Sequence, residues 1–250
     1  MNIMKKDKKT VLLFVLPAIL IFTFMGVLPL LPPLYYSLFH YKMLKLGDFV
    51  GFENYISVLK DPALKVVLLN NLKLLVLQFV IGAPLSFLCA VLISAQGPRV
   101  RRFFKTASFL PAVLSVTVVC SCWGLMLVPQ PGVIKIIMES VGLGAWYKPW
   151  TSLPDSFFDV VIFCVMWQCV GYNMLLFYSG MKSIPEHYFE AARLDGASML
   201  QQVFCITLPL LQETLKYVCI LMLTGTLSIV SQVQILANGA MLGEKTYSTV

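Results

Sequence analysis

Two groups of residues in this chain have types and spacings that suggest specific chemistry, and in both it is recognition rather than bond-making. The first lies between Ser179 and Leu211, "SGMKSIPEHYFEAARLDGASMLQQVFCITLPLL". Ser183 and Glu186 stand as S-x-x-E, the pattern of a capping box, in which hydroxyl and carboxylate each accept a free amide proton at a helix start. Pro185 is tolerated in the first turn of such a helix. The pattern predicts a helix to about Leu194, a turn at Asp195-Gly196 with Gly196 at positive φ, and a second helix capped by Ser198 and limited by Pro209. Two short helices joined at a glycine make a compact projection. Ala191 and Ala192 sit at its tip, where small side chains let a partner backbone come close. Tyr188, Phe189, Leu194 and Val203 make the projection too apolar to stand bare in water, which points to a docking surface.

The second group consists of polar residues inside long apolar runs. Gln168, Tyr172 and Asn173 lie in one run beside Trp167; Gln168 and Tyr172 are four apart and share a helix face. Thr224, Ser228 and Ser231, with Gln232 adjacent, form a helical stripe in another. Amides and hydroxyls of this kind can bond sugar hydroxyls, and aromatic rings can cover sugar faces. The same groups can instead hold packed helices together, at about 0.6 kcal/mol per bond on average. Lys73 and Gln78 lie in a third run, with Lys73 near its outer end and expected to snorkel.

Other chemistries lack their residues. "GAMLGEKT" has the wrong spacing for a G-x4-G-K-[ST] phosphate loop. His40 and His187 do not form H-E-x-x-H, and no G-x-S-x-G occurs. The seven cysteines fall in apolar stretches, where free cysteine behaves as a small hydrophobe; Cys120-Ser121-Cys122 has no partners at metal-ligand spacing. The sequence therefore predicts neither a catalytic nor a metal site.

The elements that position these groups follow from composition. The chain has 250 residues, 58% hydrophobic and 12% charged, against roughly 25% charged in soluble domains. Several apolar runs approach the roughly 20 residues that cross a bilayer. They do not alternate as barrel strands do, so helices are expected. The predicted class is all-α, a polytopic transmembrane bundle with spans at about 11–33, 67–94, 107–128, 158–180 and 213–236. A short interfacial helix is expected before Asp61-Pro62. The first run is too long for the core of a signal peptide and reads as a retained span. The net charge is +7, but the basic residues flank apolar runs, which argues for orientation signals rather than nucleic acid. Lys5, Lys6, Lys8 and Lys9, and then Arg99, Arg101, Arg102 and Lys105, are the densest clusters. They place the N-terminus, the 96–106 loop and the 181–212 segment in the cytoplasm, and with five spans the C-terminus outside.

The segment also resembles a known family. Glu190-Ala191-Ala192, three residues, Gly196, nine residues, then Ile206-x-Leu208-Pro209 matches the EAA motif of permease subunits of binding-protein-dependent ABC importers. The flanks "SGMKSIP" and "ARLDGAS" are similar to the carbohydrate-uptake branch, the maltose and glycerol-3-phosphate permease subunits, and "GFENYISVLKDP" resembles the stretch before that branch's second span. The resemblance implies one transmembrane domain over 1–250 in a bacterial inner membrane, a second permease subunit, a cytoplasmic ATPase dimer that binds ATP and Mg, and an external solute-binding protein. It implies that Glu190, Ala191, Ala192, Gly196, Ile206, Leu208 and Pro209 serve ATPase coupling, and that the chain itself carries no cofactor. Family members usually continue into a further span after a stretch like "LANGAMLGEKTYSTV"; this sequence is read as lacking it. A secondary transporter would need buried ionisable residues, which these spans nearly lack, and a membrane assembly protein is the remaining alternative.

Overall fold

The computed structural model describes residues 8–42, 45–129, 132–151 and 153–237. Lys5, Lys6 and the stretch after Ala237, including "GAMLGEKT", lie outside the described residues. The chain divides into two compact units, Met1–Leu64 and Lys65–Val250.

In the first unit an apolar helix of 24 residues, Leu13–Tyr36, is long enough to cross a membrane. It starts as α1 (Lys8–Phe22), widens into a π-turn at Thr23–Val27, tightens to a 3-10 turn at Leu28–Leu30 and ends as α2 (Leu31–Tyr36). The change of pitch follows from Pro29, which has no N–H and whose ring crowds the carbonyl four residues back. A hairpin follows that the sequence pattern did not disclose: β1 (Phe39–Lys42) pairs antiparallel with β2 (Lys45–Phe49), irregular between Phe39 and Tyr41. At that irregularity a β-carbon on Gly47 would lie 2.8 Å from the His40 carbonyl oxygen, so only glycine fits. The expected short helix is α3 (Glu53–Lys60). Asn54 Nδ2 donates to the carbonyls of Ser37 and Phe39 at 2.8 and 2.9 Å and ties α3 to the hairpin.

The second unit is built around one helix. α4 (Pro62–Leu77), which starts at the boundary, runs through a π-turn at Gln78–Gly82 into α5 (Ala83–Ser94), making a single stretch of 33 residues. α6 (Pro98–Val113) and α7 (Val116–Leu127) follow, then α8 (Val133–Ser140) and the 30-residue α9 (Pro154–Ser183). α5, α6, α7, the later α13 (Gln212–Thr226) and α14 (Val230–Leu236) all pack on α9. Two glycines of α9 allow the closest approaches. A β-carbon at Gly171 would collide with the Ser108 carbonyl of α6, and one at Gly180 would lie 2.6 Å from Leu211 Cδ2 and Thr214 Oγ1.

The apolar core falls into two clusters. One gathers Leu74, Cys120, Phe157, Val161, Cys164, Val165, Ile229 and Leu236 around the first half of α9. The other gathers Ala83, Ala90, Ile93, Met174, Phe177, Leu211, Val218 and Met222 around the second half.

Two expected spans are not continuous helices. The 107–128 range is bent by 94° between α6 and α7. Leu114 and Ser115 are extended there, and the Ser115 side chain accepts the Val118 N–H, so a serine that starts a new helix overrides the apolar run. The 213–236 range breaks at Leu227–Ile229 between α13 and α14. Thr224 and Ser228 bond back to helix carbonyls near the break, a competition that weakens helices.

Candidate coupling segment and polar pathway

After α9 the chain turns at Ile184-Pro185 into α10 (Glu186–Leu194), then α11 (Met199–Gln202), a π-turn at Val203–Thr207 and α12 (Leu208–Leu210). The end of α10 explains the spacing of the motif. Gly196 has φ +78°, the left-handed conformation that disfavours a side chain. With the chain reversed there, the Ala197 N–H reaches the Ala192 carbonyl at 2.8 Å and the Gly196 N–H the Arg193 carbonyl at 3.1 Å. This is a Schellman ending, which places Gly196 four residues after Ala192, whose carbonyl the next residue's N–H satisfies. Ser198 then caps α11 in a reciprocal box with Gln201: the Ser198 N–H donates to Gln201 Oε1 at 2.7 Å, and the Gln201 N–H to Ser198 Oγ at 3.4 Å.

The expected box at Ser183 and Glu186 does not form. Ser183 Oγ donates to the Gly180 carbonyl of its own helix, Pro185 takes the N-cap position, and Glu186 accepts from Arg193 Nη2 at 3.1 Å. A free carboxylate beside a guanidinium satisfies both charges better than a serine still bound up in the preceding helix. Pro209 does not end its helix either. The turn before it widens into the π form, with the Leu208 N–H bonded to the Val203 carbonyl, and the 70° bend falls at Leu211. The same device occurs at Thr23–Val27 before Pro29 and at Gln78–Gly82 before Pro84, each π-turn ending two residues ahead of the proline.

Glu190 and Ala191 are exposed, Ala192 is half-buried, and Leu194 is 89% exposed. Ile206 and Leu208 are half-buried, and Pro209 is exposed. A cavity of about 790 Å³ lies behind α10, between Ser94 and Ala95 at the end of α5, Lys182 of α9, Phe189 and Arg193 of α10, and Gln202 and Thr207. The projection is thus packed by its own caps and stands partly off the bundle.

The pathway candidates separate. Gln168 Nε2 donates to the carbonyls of Pro111 and Leu114 at 3.2 and 3.3 Å, supplying donors where the α6–α7 bend leaves carbonyls free. Tyr172 is exposed on the same face, and Asn173 is buried. Thr224, Ser228 and Ser231 are each exposed, in α13, in the break and in α14 respectively. Lys73 does not simply snorkel: its Nζ lies 2.6 Å from Asp159 Oδ1 of α9. Sequence reasoning missed Thr226, 2% exposed, which accepts from Gln78 Nε2 at 3.3 Å. A hydroxyl two residues after Thr224 points to the opposite face of the helix, and that offset was the available signal.

The described geometry coincides with a known pattern. Residues 82–248 match the family model described as binding-protein-dependent transport system inner membrane component. The chain belongs to this family. The probable ABC transporter permease protein YurN of Bacillus subtilis is 31% identical over 91% of this chain and 78% of its own length. The arabinooligosaccharides transport system permease protein AraP of Halalkalibacterium halodurans is 33% identical over 71% of this chain and 55% of its own. The fold is that of a chain in the crystal structure of a bacterial alginate ABC transporter in complex with an alginate pentasaccharide-bound periplasmic protein, with a TM-score of 0.77, 23% identity, and coverage of 99% of this chain and 82% of that one. As a member of this family the chain is a membrane-embedded permease subunit of an ABC importer, a transport component and not an enzyme family.

Proposed function

We propose that this permease subunit carries a sugar or related small polar solute and is driven by a separate ATPase, which binds ATP and Mg and grips the α10–α11 projection. The observation that carries the reading is the exposed tip of α10, with Glu190, Ala191 and Leu194 bare on a projection that is already internally capped. Such a surface fits a cleft in a soluble partner. Glu190, Ala191, Ala192 and Gly196 form the contact. Ile206, Leu208 and Pro209 transmit it through the π-turn to α13. A second permease subunit covers the exposed Thr224, Ser228 and Ser231, and solute passes there with Tyr172 and Asn173; Gln168 serves the bend of α6 and α7. A solute-binding protein delivers from outside, and the N-terminus is cytoplasmic. The sugar class is supported by relatives named for arabinooligosaccharides, xylose and arabinose, and diacetylchitobiose.

Single-cysteine labelling tests the arrangement. Glu190→Cys should react with a membrane-impermeant maleimide only in inverted vesicles, and Ala191→Cys should cross-link to a co-purified ATPase. Labelling of Glu190→Cys in intact cells would sink the reading. Uptake of labelled pentose oligosaccharides by a strain carrying the intact system then tests the solute class.

A further inference from the structure

Gln78 lies at the midpoint of the 33-residue helix Pro62–Ser94 and is 2% exposed. Its Nε2 donates to Thr226 Oγ1, and its Oε1 is buried without a partner among the described residues. The orientation of the amide is forced. The single hydroxyl proton of Thr226 goes to the Met222 carbonyl at 2.7 Å, so Thr226 can only accept from Gln78. A buried amide oxygen with no donor, deep in a membrane helix, is expensive to keep. Leucine or methionine would pack at the same position without that cost.

Its surroundings indicate what it is for. Gln78 opens the π-turn Gln78–Gly82, and Thr226 is the last residue of α13 before the break at Leu227–Ile229. The contact therefore joins two places where regular helix is interrupted. It also sits on the seam between the two apolar cores. Along the first helix Leu74 belongs to one core and Ala83 to the other; along the second, Ile229 and Met222 are divided in the same way. The filling at the seam is adaptable: a β-carbon on Gly82 would have the terminal methyls of Met166 and Met222 at 3.9 Å, and methionine repacks easily. On the far side of the break Gln232 Oε1 is likewise buried without a partner among the described residues.

We propose that Gln78 is a positioning residue at a pivot: the helices packed on the two halves of the unbroken α9 shift against each other at the Gln78–Thr226 contact during transport, and the free amide oxygen takes up a donor in the opposite-facing state. The inference rests on the proposed coupling to an ATPase. π-turns and helix breaks supply the freedom, and the polar contact sets where it is used.

The test uses the assembled permease–ATPase complex in lipid, with spin labels on Leu69→Cys in α4 and Leu223→Cys in α13, both exposed positions in different halves. The inter-label distance is measured with and without ATP, Mg and vanadate. The expected result is an ATP-driven shift in the otherwise wild-type complex, its loss in Gln78→Leu and in Thr226→Val, and its retention in Thr226→Ser, with the melting temperature of Gln78→Leu no lower than wild type. An unchanged shift in Gln78→Leu, or a loss matched by a lowered melting temperature, overturns the pivot. No shift in a complex that hydrolyses ATP overturns it too. If no ATPase assembles with the wild-type chain, the coupling proposal fails first and the pivot with it.

Discussion

α9 and the segment that follows it use polar side chains in opposite ways. Along α9 they reach other elements: Asp159 pairs with Lys73 of α4, and Gln168 bonds Pro111 and Leu114 of the α6–α7 bend. In the α10–α12 segment they stay local: Arg193 with Glu186, Ser198 with Gln201, Gln202 with the Ala197 carbonyl, Thr207 with the Gln202 carbonyl. A membrane helix satisfies its own backbone, so its few polar side chains are free to join neighbours. A short helix has free groups at both ends to satisfy, and its side chains are used up in doing so. The contrast makes α9 the hub of the bundle. It leaves the segment with its polar side chains satisfied locally and the tip of α10 exposed.

The largest effect should come from the hub. Gly171→Leu puts a side chain into the Ser108 carbonyl of α6, and neither backbone can yield without opening the α6–α9 contact. Overpacking that displaces side chains and backbone typically costs about 1–3 kcal/mol and occasionally more, and here the clash with backbone begins at the β-carbon itself. The membrane level of this variant, read by immunoblot, should fall severely. A normal level would mean that α6 is free to shift and that α9 is not the fixed centre.

In the segment the opposite signature is expected. Gly196→Pro forces φ from +78° to about −65° and removes the N–H that reaches Arg193, so the reversal after α10 cannot form. Ala191→Trp leaves the fold alone and covers the exposed tip. Both should lose solute uptake while accumulating in the membrane at normal levels. Loss of membrane level with uptake would show that the segment is part of the bundle after all.

These two regions were not equally legible. In the segment the turn at Gly196 and the cap at Ser198 could be read from spacing, because both act through local backbone rules. The exceptions are Ser183 with Glu186, which found nearer partners in Gly180 and Arg193, and Pro209, which the π-turn before it accommodates within the helix. The apolar runs disclosed where helices lie but not their interruptions: three described helices are long and apolar enough to cross a membrane, and two further stretches are bent pairs. Leu114-Ser115 and Leu227–Ile229 sit in runs that hydropathy scores as uniform, and the hairpin at Phe39–Phe49 is held by Asn54, a contact across sequence that no local pattern encodes. The Gln78–Thr226 bond spans 148 residues and could not be anticipated from either helix alone.

A middle-sized effect separates packing from pathway. Gln168→Leu leaves the Pro111 and Leu114 carbonyls without their donor, a loss of about 1–3 kcal/mol where they are shielded from water. The melting temperature of the purified complex should fall, with the solute KM unchanged in what survives. Tyr172→Phe, on the exposed part of the same face, should do the reverse. If Gln168→Leu changes KM at constant stability, Gln168 belongs to the pathway and the hub picture loses one of its polar ties.

The tie between Lys73 and Asp159 predicts the smallest effect. Lys73 and Asp159 are 2.6 Å apart, but their side chains are 49% and 59% exposed, and such pairs contribute at most about 1 kcal/mol when water or counter-ions can reach them. Geometry alone therefore does not decide whether this pair holds α4 to α9. A double-mutant cycle does: Lys73→Met, Asp159→Asn and the double variant, compared by melting temperature at low and high salt. A coupling that shrinks as salt rises is the behaviour of an exposed pair. A coupling that stays constant and exceeds that range would mean that the pair is covered in the assembled protein, since burial is what makes breaking one partner costly. In that case the surface around Asp159 is an interface, and α9 is the hub of the whole assembly rather than of this chain alone.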